Sequence, residues 1–149
     1  MAEITLPTEI RLDIVTPDRM VAHDAVTAVT IPGKNGYLGI LPGHAPLLTE
    51  LAPGELEYTS GGAQHIMAVN WGFAEVLGDR VIVLAQSCER AEEIDVERAE
   101  KAKARAEERL KRFSDPEVDM ERARKALLRA MARLETARKL RGESQHPSI

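Results

Sequence analysis

A chain of 149 residues, 30% charged and only 3% aromatic, is long enough for one sizeable domain or for a small domain with an appendage. Its charge is uneven: 4 basic and 10 acidic residues lie up to Gln86 (net −6), and 16 basic and 14 acidic lie after it (net +2). That balance excludes strong binding to duplex nucleic acid, and the single cysteine, Cys88, excludes an intrachain disulfide or a cysteine-based metal cluster.

In the first part the apolar period is that of strands. Ile10, Leu12 and Ile14 alternate with Arg11 and Asp13, and Thr16-Pro17-Asp18 breaks the run. Ala25 to Ile31 alternates again with β-branched residues until Pro32 ends it. Gly33-Lys34-Asn35-Gly36 then supplies the Asn-Gly pair of a tight hairpin, and Tyr37 to Leu41 returns. Pro42 to Leu48 reads as a fixed loop, too rich in proline for a central ladder. Gly54 to Ser60, His65 to Val69, Gly72 to Leu77 and Arg80 to Ala85 are further strands, with turns at Gly61-Gly62 and Gly78-Asp79. Many short strands separated by turns describe a sandwich or flattened barrel.

The period changes in the stretch Glu89 to Arg105. Asp95 precedes a long run of Ala, Glu, Lys and Arg, so its carboxylate is placed to accept the backbone N–H groups left unpaired in a first helical turn. Ala99, Ala102, Ala106, Leu110 and Phe113 recur at helical spacing, Ser114-Asp115-Pro116 interrupts, and Asp119 caps a second helix striped by Ala123, Leu127, Ala130, Leu134 and Ala137. Gly142 is a stop. The expected class is therefore mixed, β then α: a sandwich over 1–87, an antiparallel two-helix hairpin over 88–141, and a polar tail over 142–149. Alanine contributes little on burial, so the helix pairing should be loose and able to rearrange.

No phosphate loop, nucleophile elbow or GxGxxG after a strand occurs, and His23, His44, His65 and His146 lack zinc-binding spacing, so no metal and no catalytic constellation is expected. The N-terminus lacks a basic region followed by an apolar core, and no run of about 18 apolar residues occurs, so the chain is expected to be soluble in a reducing compartment, with no lipid insertion. His44 is either a partner contact or a loop residue satisfied by its own backbone. Trp71 and Phe73 read as sandwich core more readily than as a stacking platform. Arg98 and Arg105, seven apart, and Arg129 and Arg133, four apart, would converge across a hairpin on an anion, or else form a solvated face laced with glutamates.

GYLGILPGHAPLLTEL from Gly36, GELEY from Gly54, WGFAEV from Trp71 and IDVERA from Ile94, in that order ahead of an alanine- and arginine-rich hairpin, resemble the epsilon subunits of bacterial F-type ATP synthases. The resemblance covers the chain from Ile10 to Leu140. It implies a ten-stranded β-sandwich and a two-helix hairpin on the central rotor stalk, bound to the gamma subunit and seated on the ring of c subunits at the cytoplasmic face of the bacterial inner membrane. Tyr37 and His44 are then the contacts to the c-ring. It implies a hairpin that permits turnover when folded down and inhibits ATP hydrolysis when extended, with Arg122, Arg129 and Arg133 meeting the catalytic alpha and beta subunits. No cofactor is required, but ATP is a possible regulatory ligand at Glu89, Ile94, Asp95, Arg98, Ala99, Arg105, Arg129 and Arg133. The competing readings are a ligand-binding sandwich with a helical oligomerisation arm, which leaves PGHAPLL unexplained, and an enzyme, which lacks an acid, base or nucleophile pattern.

Overall fold

The computed structural model describes residues 2–142; the tail over 143–149, with His146, lies outside them. Eight strands are followed by two helices: β1 (Ile10–Val15), β2 (Met20–Val26), β3 (Ala28–Gly33), β4 (Gly36–Ile40), β5 (His44–Leu51), β6 (Gly54–Ser60), β7 (Ala63–Gly78) and β8 (Arg80–Arg90), a 3-10 turn at Ala91–Glu93, then α1 (Val96–Lys111) and α2 (Met120–Leu140). The strands run in the order β2-β1-β8-β7-β5-β3-β4, and β6 bridges β3 and β7, so the sheet wraps around one core. Ile10, Leu12, Ile14, Val26, Ile31, Leu56, Tyr58, Met67, Val69 and Val76 fill it, each at most 2% exposed.

β7 explains most of the architecture. Met67 and Val69 point into the core, but so do Ala74 and Val76, so the inward positions change from odd to even along one strand. The change occurs at Trp71 (φ 28) and Gly72 (φ 138). A side chain at Gly72 would begin 1.9 Å from the Leu84 carbonyl oxygen, so only glycine fits. β8 keeps its register with β7 and changes phase beside it, from Val81, Val83 and Ala85 to Cys88. The sheet therefore has eight strands where the resemblance implies ten, because β7 and β8 each run on through the phase change.

The segment read as a proline-rich loop is in fact a strand from His44 onward. Its register against β7 is irregular between His44 and Leu47, which accommodates Pro46, a residue with no N–H to give. Pro32 likewise lies inside β3, where its carbonyl accepts from Ala52 N at 2.9 Å. β2 begins at Met20, and the run starting at Ala25 is divided between β2 and β3. Its pairing with β1 sets Asp13 opposite His23; the buried Asp13 carboxylate accepts from His23 Nδ1 and, at 3.3 Å, from Arg80 Nη2.

Asp95 and Asp119 cap the two helices, each accepting from the backbone N–H three residues on at 3.0 Å. Gly142, at φ 75, follows the last turn of α2. Ala99, Ala106, Ala123, Ala130 and Ala137 are buried as the stripes predict. Phe113 is not: α1 ends two residues earlier, and the ring is 79% exposed. Helix α2 packs against α1, β6 and β7.

Candidate functional site at the junction of hairpin and sandwich

On α2, Lys125, Arg129 and Arg133 recur every four residues and so share one face. That face meets the first half of β7 and the end of β8. Lys125 Nζ stands 5.8 Å and Arg129 Cζ 5.7 Å from the centre of the Trp71 ring. One turn further, Arg133 Nε donates to Glu89 Oε2 at 2.8 Å, and Lys139 pairs with Glu57 near the helix end. Beneath them Ile66, Ala68 and Asn70 are buried. Asn70 donates to Ser87 Oγ at 2.7 Å, while its own Oδ1 is buried without a partner.

Trp71 is the only non-glycine residue at positive φ among the described residues. For a bulky side chain that conformation costs about 1 to 3 kcal/mol and persists only when its surroundings enforce it. The expectation of a core position is corrected on both aromatics: Phe73 is 51% exposed, and Trp71 lies part-exposed beneath the basic row. The phase change in β7 turns both rings outward.

The residues matched to nucleotide binding are partly brought together. Glu89, Glu93, Asp95, Arg98, Ala99 and Arg133 line a cleft of about 120 Å³ between the stretch from Glu89 to Ala99 and α2, with Ile94 half-buried beside it. Arg105 lies exposed on α1, two turns beyond Arg98, and Arg129 is held on Trp71; neither lines the cleft. Three carboxylates face two guanidinium groups there, and the volume falls short of the roughly 300 Å³ at which small-molecule pockets begin. Arg122 is exposed in the first turn of α2.

Tyr37 lies near the start of β4, and His44 is the first residue of β5. The Tyr37 hydroxyl donates to Glu55 Oε2 at 3.0 Å and accepts from Glu55 N at 3.3 Å; burial and the neighbouring carboxylate push its pKa up. His44 Nδ1 donates to the Ala45 carbonyl at 2.7 Å, and His44 pairs with Gly78. Cys88 lies in the core with Sγ 3.5 Å from Met67 Sδ, and burial raises its thiol to about 12. No three His, Cys, Asp or Glu among the described residues are grouped to hold a metal ion.

The outer face of β7 and β8 differs on the two sides of the bend. The first half is covered by α2; the second presents Phe73 and its cross-strand partner Leu84, with Leu77 and with Leu48 of β5, each 49% exposed or more. Sequence reading missed Trp71, Lys125, Glu57 and Lys139 as junction residues. The four-residue spacing of Lys125, Arg129 and Arg133 was the available signal.

Comparison with known proteins agrees with this architecture. The β-sandwich domain of the ATP synthase delta/epsilon chain matches residues 9–91, and the long α-helix domain of the same chain matches residues 92–138. The ATP synthase epsilon chain of Koribacter versatilis is 60% identical over 105 residues, covering 70% of this chain and 73% of the relative. That of Geotalea uraniireducens is 50% identical over 106 residues, covering 71% and 77%. A chain in a cryo-EM structure of the Euglena gracilis mitochondrial ATP synthase, with OSCP, F1 and c-ring, superposes with a TM-score of 0.80 at 29% identity, covering 91% of this chain and 85% of that one. A chain of the Tetrahymena thermophila central stalk and c-ring shares the fold, with a TM-score of 0.53 at 14% identity, covering 91% and 98%. No helix among the described residues is long and apolar enough to cross a membrane. The chain belongs to the delta/epsilon-chain family of ATP synthases, as a bacterial F-type epsilon chain, a non-catalytic subunit of the stalk.

Proposed function

We propose that this subunit couples rotation of the c-ring to ATP synthesis and restrains ATP hydrolysis through its hairpin, on the cytoplasmic face of the bacterial inner membrane. The observation that carries the reading is the way α2 is attached. Its buried side chains are mostly alanines, and its polar contacts with the sandwich are cations on Trp71, Glu89 and Glu57. An attachment of that kind separates without opening a core. When it separates, Arg129 and Arg133 lose their partners and become free, together with the exposed Arg122, to meet acidic loops of the catalytic alpha and beta subunits.

The uncovered apolar face of Leu48, Phe73, Leu77 and Leu84 is the surface offered to the gamma subunit. His44, which opens β5 opposite Gly78, and Tyr37, near the start of β4, are the proposed contacts to the c-ring.

ATP is proposed as a regulatory ligand of the compact state. The cleft must widen to admit it. Its phosphates would draw Arg133 from Glu89 and Arg129 from Trp71, and Arg98 and Arg105 would close on them from α1. A ligand that binds the folded-down state alone shifts the hairpin toward it in proportion to its differential affinity. Calorimetric titration of the chain with ATP tests this: heat of binding in the native chain, lost in Arg133→Ala, supports the site. Absence of binding at millimolar ATP would remove the ligand and leave inhibition by contact alone.

A further inference from the structure

We propose that Trp71 is the latch that holds the hairpin on the sandwich, its indole ring serving as a seat for the paired cations of Lys125 and Arg129. The inference rests on the movable hairpin proposed above and names the residue that sets its release.

Three observations lead to it. The backbone at Trp71 occupies a left-handed conformation that glycine adopts freely and tryptophan does not, so the side chain is kept there at a backbone cost. The ring contributes little to the sandwich core, lying part-exposed on the outer side of β7 at the point where the strand changes phase. What the ring does contact is α2, through two cations one helical turn apart, each within 6 Å of its centre. A strained residue that lies outside its own domain's core, but that the neighbouring element covers, is placed for the contact between them.

This separates two quantities that a core tryptophan would keep together. Trp71→Gly relieves the backbone while removing the seat, so the sandwich should hold or gain melting temperature as the hairpin loosens. Hydrogen exchange of the α2 amides, read in the full chain without nucleotide, is the measure of docking. We expect protection of α2 to fall about tenfold in Trp71→Gly, the loss of two cation–π contacts, with the sandwich transition unmoved or raised. The double variant Lys125→Gln, Arg129→Gln keeps the ring and removes its occupants. It should loosen α2 to a similar degree and move the emission of Trp71, the sole tryptophan, to longer wavelength as water reaches the ring.

Unchanged α2 protection in Trp71→Gly overturns the latch. So does a fall of the sandwich transition in step with α2, which would make Trp71 an ordinary structural residue. No ATP and no partner subunit is present in these measurements. A failed latch therefore leaves the proposed inhibition and nucleotide binding to their own tests, and a failure of those leaves the latch standing.

Discussion

The two parts of this molecule bury apolar groups of different size, and their mechanical character follows. The sandwich is closed over branched and aromatic side chains, among them Leu12, Ile14, Leu56, Tyr58 and Met67, drawn from all eight strands. In the hairpin six of the eight buried side chains on α1 and α2 are alanines, with Leu134 and Thr136. Six methyl groups at about 0.8 kcal/mol per buried methylene are a small return against the roughly 1 kcal/mol or more that ordering each backbone residue costs. Helix propensity and the aspartate caps keep the helices formed; the caps act within a turn and do nothing for docking. One region is held by volume, the other by local helix energetics and a few polar contacts.

The sharpest test of the contrast is to cut the sandwich core. Leu56→Ala should cost about 2 to 5 kcal/mol in chemical denaturation, because the wall around a fully buried leucine relaxes only in part. A cost below about 1 kcal/mol would mean the core yields as easily as the hairpin, and the contrast would collapse.

Acid provides a second probe confined to the sandwich. The Asp13 carboxyl lies below its ordinary range, chiefly because His23 donates to it and further because Arg80 does, against the opposing pull of burial. Since its folded value is depressed, the stabilisation is complete above the unfolded value of about 3.9 and is lost as pH falls from there through the folded value. Asp13→Asn should lower the melting temperature at neutral pH and flatten its dependence on pH in that acid window. An acid limb as steep as that of the native chain would assign the effect to other carboxylates.

Crowding the helix seam probes the other side. Ala130→Leu should cost about 1 to 3 kcal/mol by overpacking, expressed as faster amide exchange in α1 and α2 with the sandwich transition in place. If both parts melt earlier together, they are one cooperative unit. A smaller effect belongs to the cap: Asp119→Ala should lower helix stability by about 1 kcal/mol, seen first as exchange at Arg122. Smallest of all is the Lys101–Glu97 pair, whose two side chains are 65% and 78% exposed; Glu97→Gln should leave the melting temperature within error of the native value.

Much of this organisation is legible in the residues. Asp95 and Asp119 were readable as caps because an acceptor ahead of a helical run has little else to do, and the alanine stripes follow from spacing alone. β5 was hidden by Pro42 and Pro46, since a proline rule for ladders does not say that a strand may step around one with an irregular register. Trp71 was misread for a related reason. Apolar alternation gives a residue's face only while the phase holds, and here it slips at Trp71-Gly72. The slip is itself written in the sequence, as Met67 and Val69 followed by Ala74 and Val76, and could be found by fitting two phases in place of one. The position of Arg129 had no such sign: its pairing with Trp71 joins residues 58 positions apart through a helix that folds back.

The continuity of β7 has a mechanical consequence. Its 16 residues run from the turn beside Ala63 to Gly78, opposite His44, and are paired with β8 from Met67 to Leu77. Force entering at the His44 end and leaving at the far end would load the β7–β8 ladder in shear, with many hydrogen bonds sharing the strain at once. A sheet pulled perpendicular to its strands instead peels one bond at a time. If the subunit couples rotation as proposed, the unbroken strand is its stiff direction, and the glycine at its bend admits a corner without cutting the shaft.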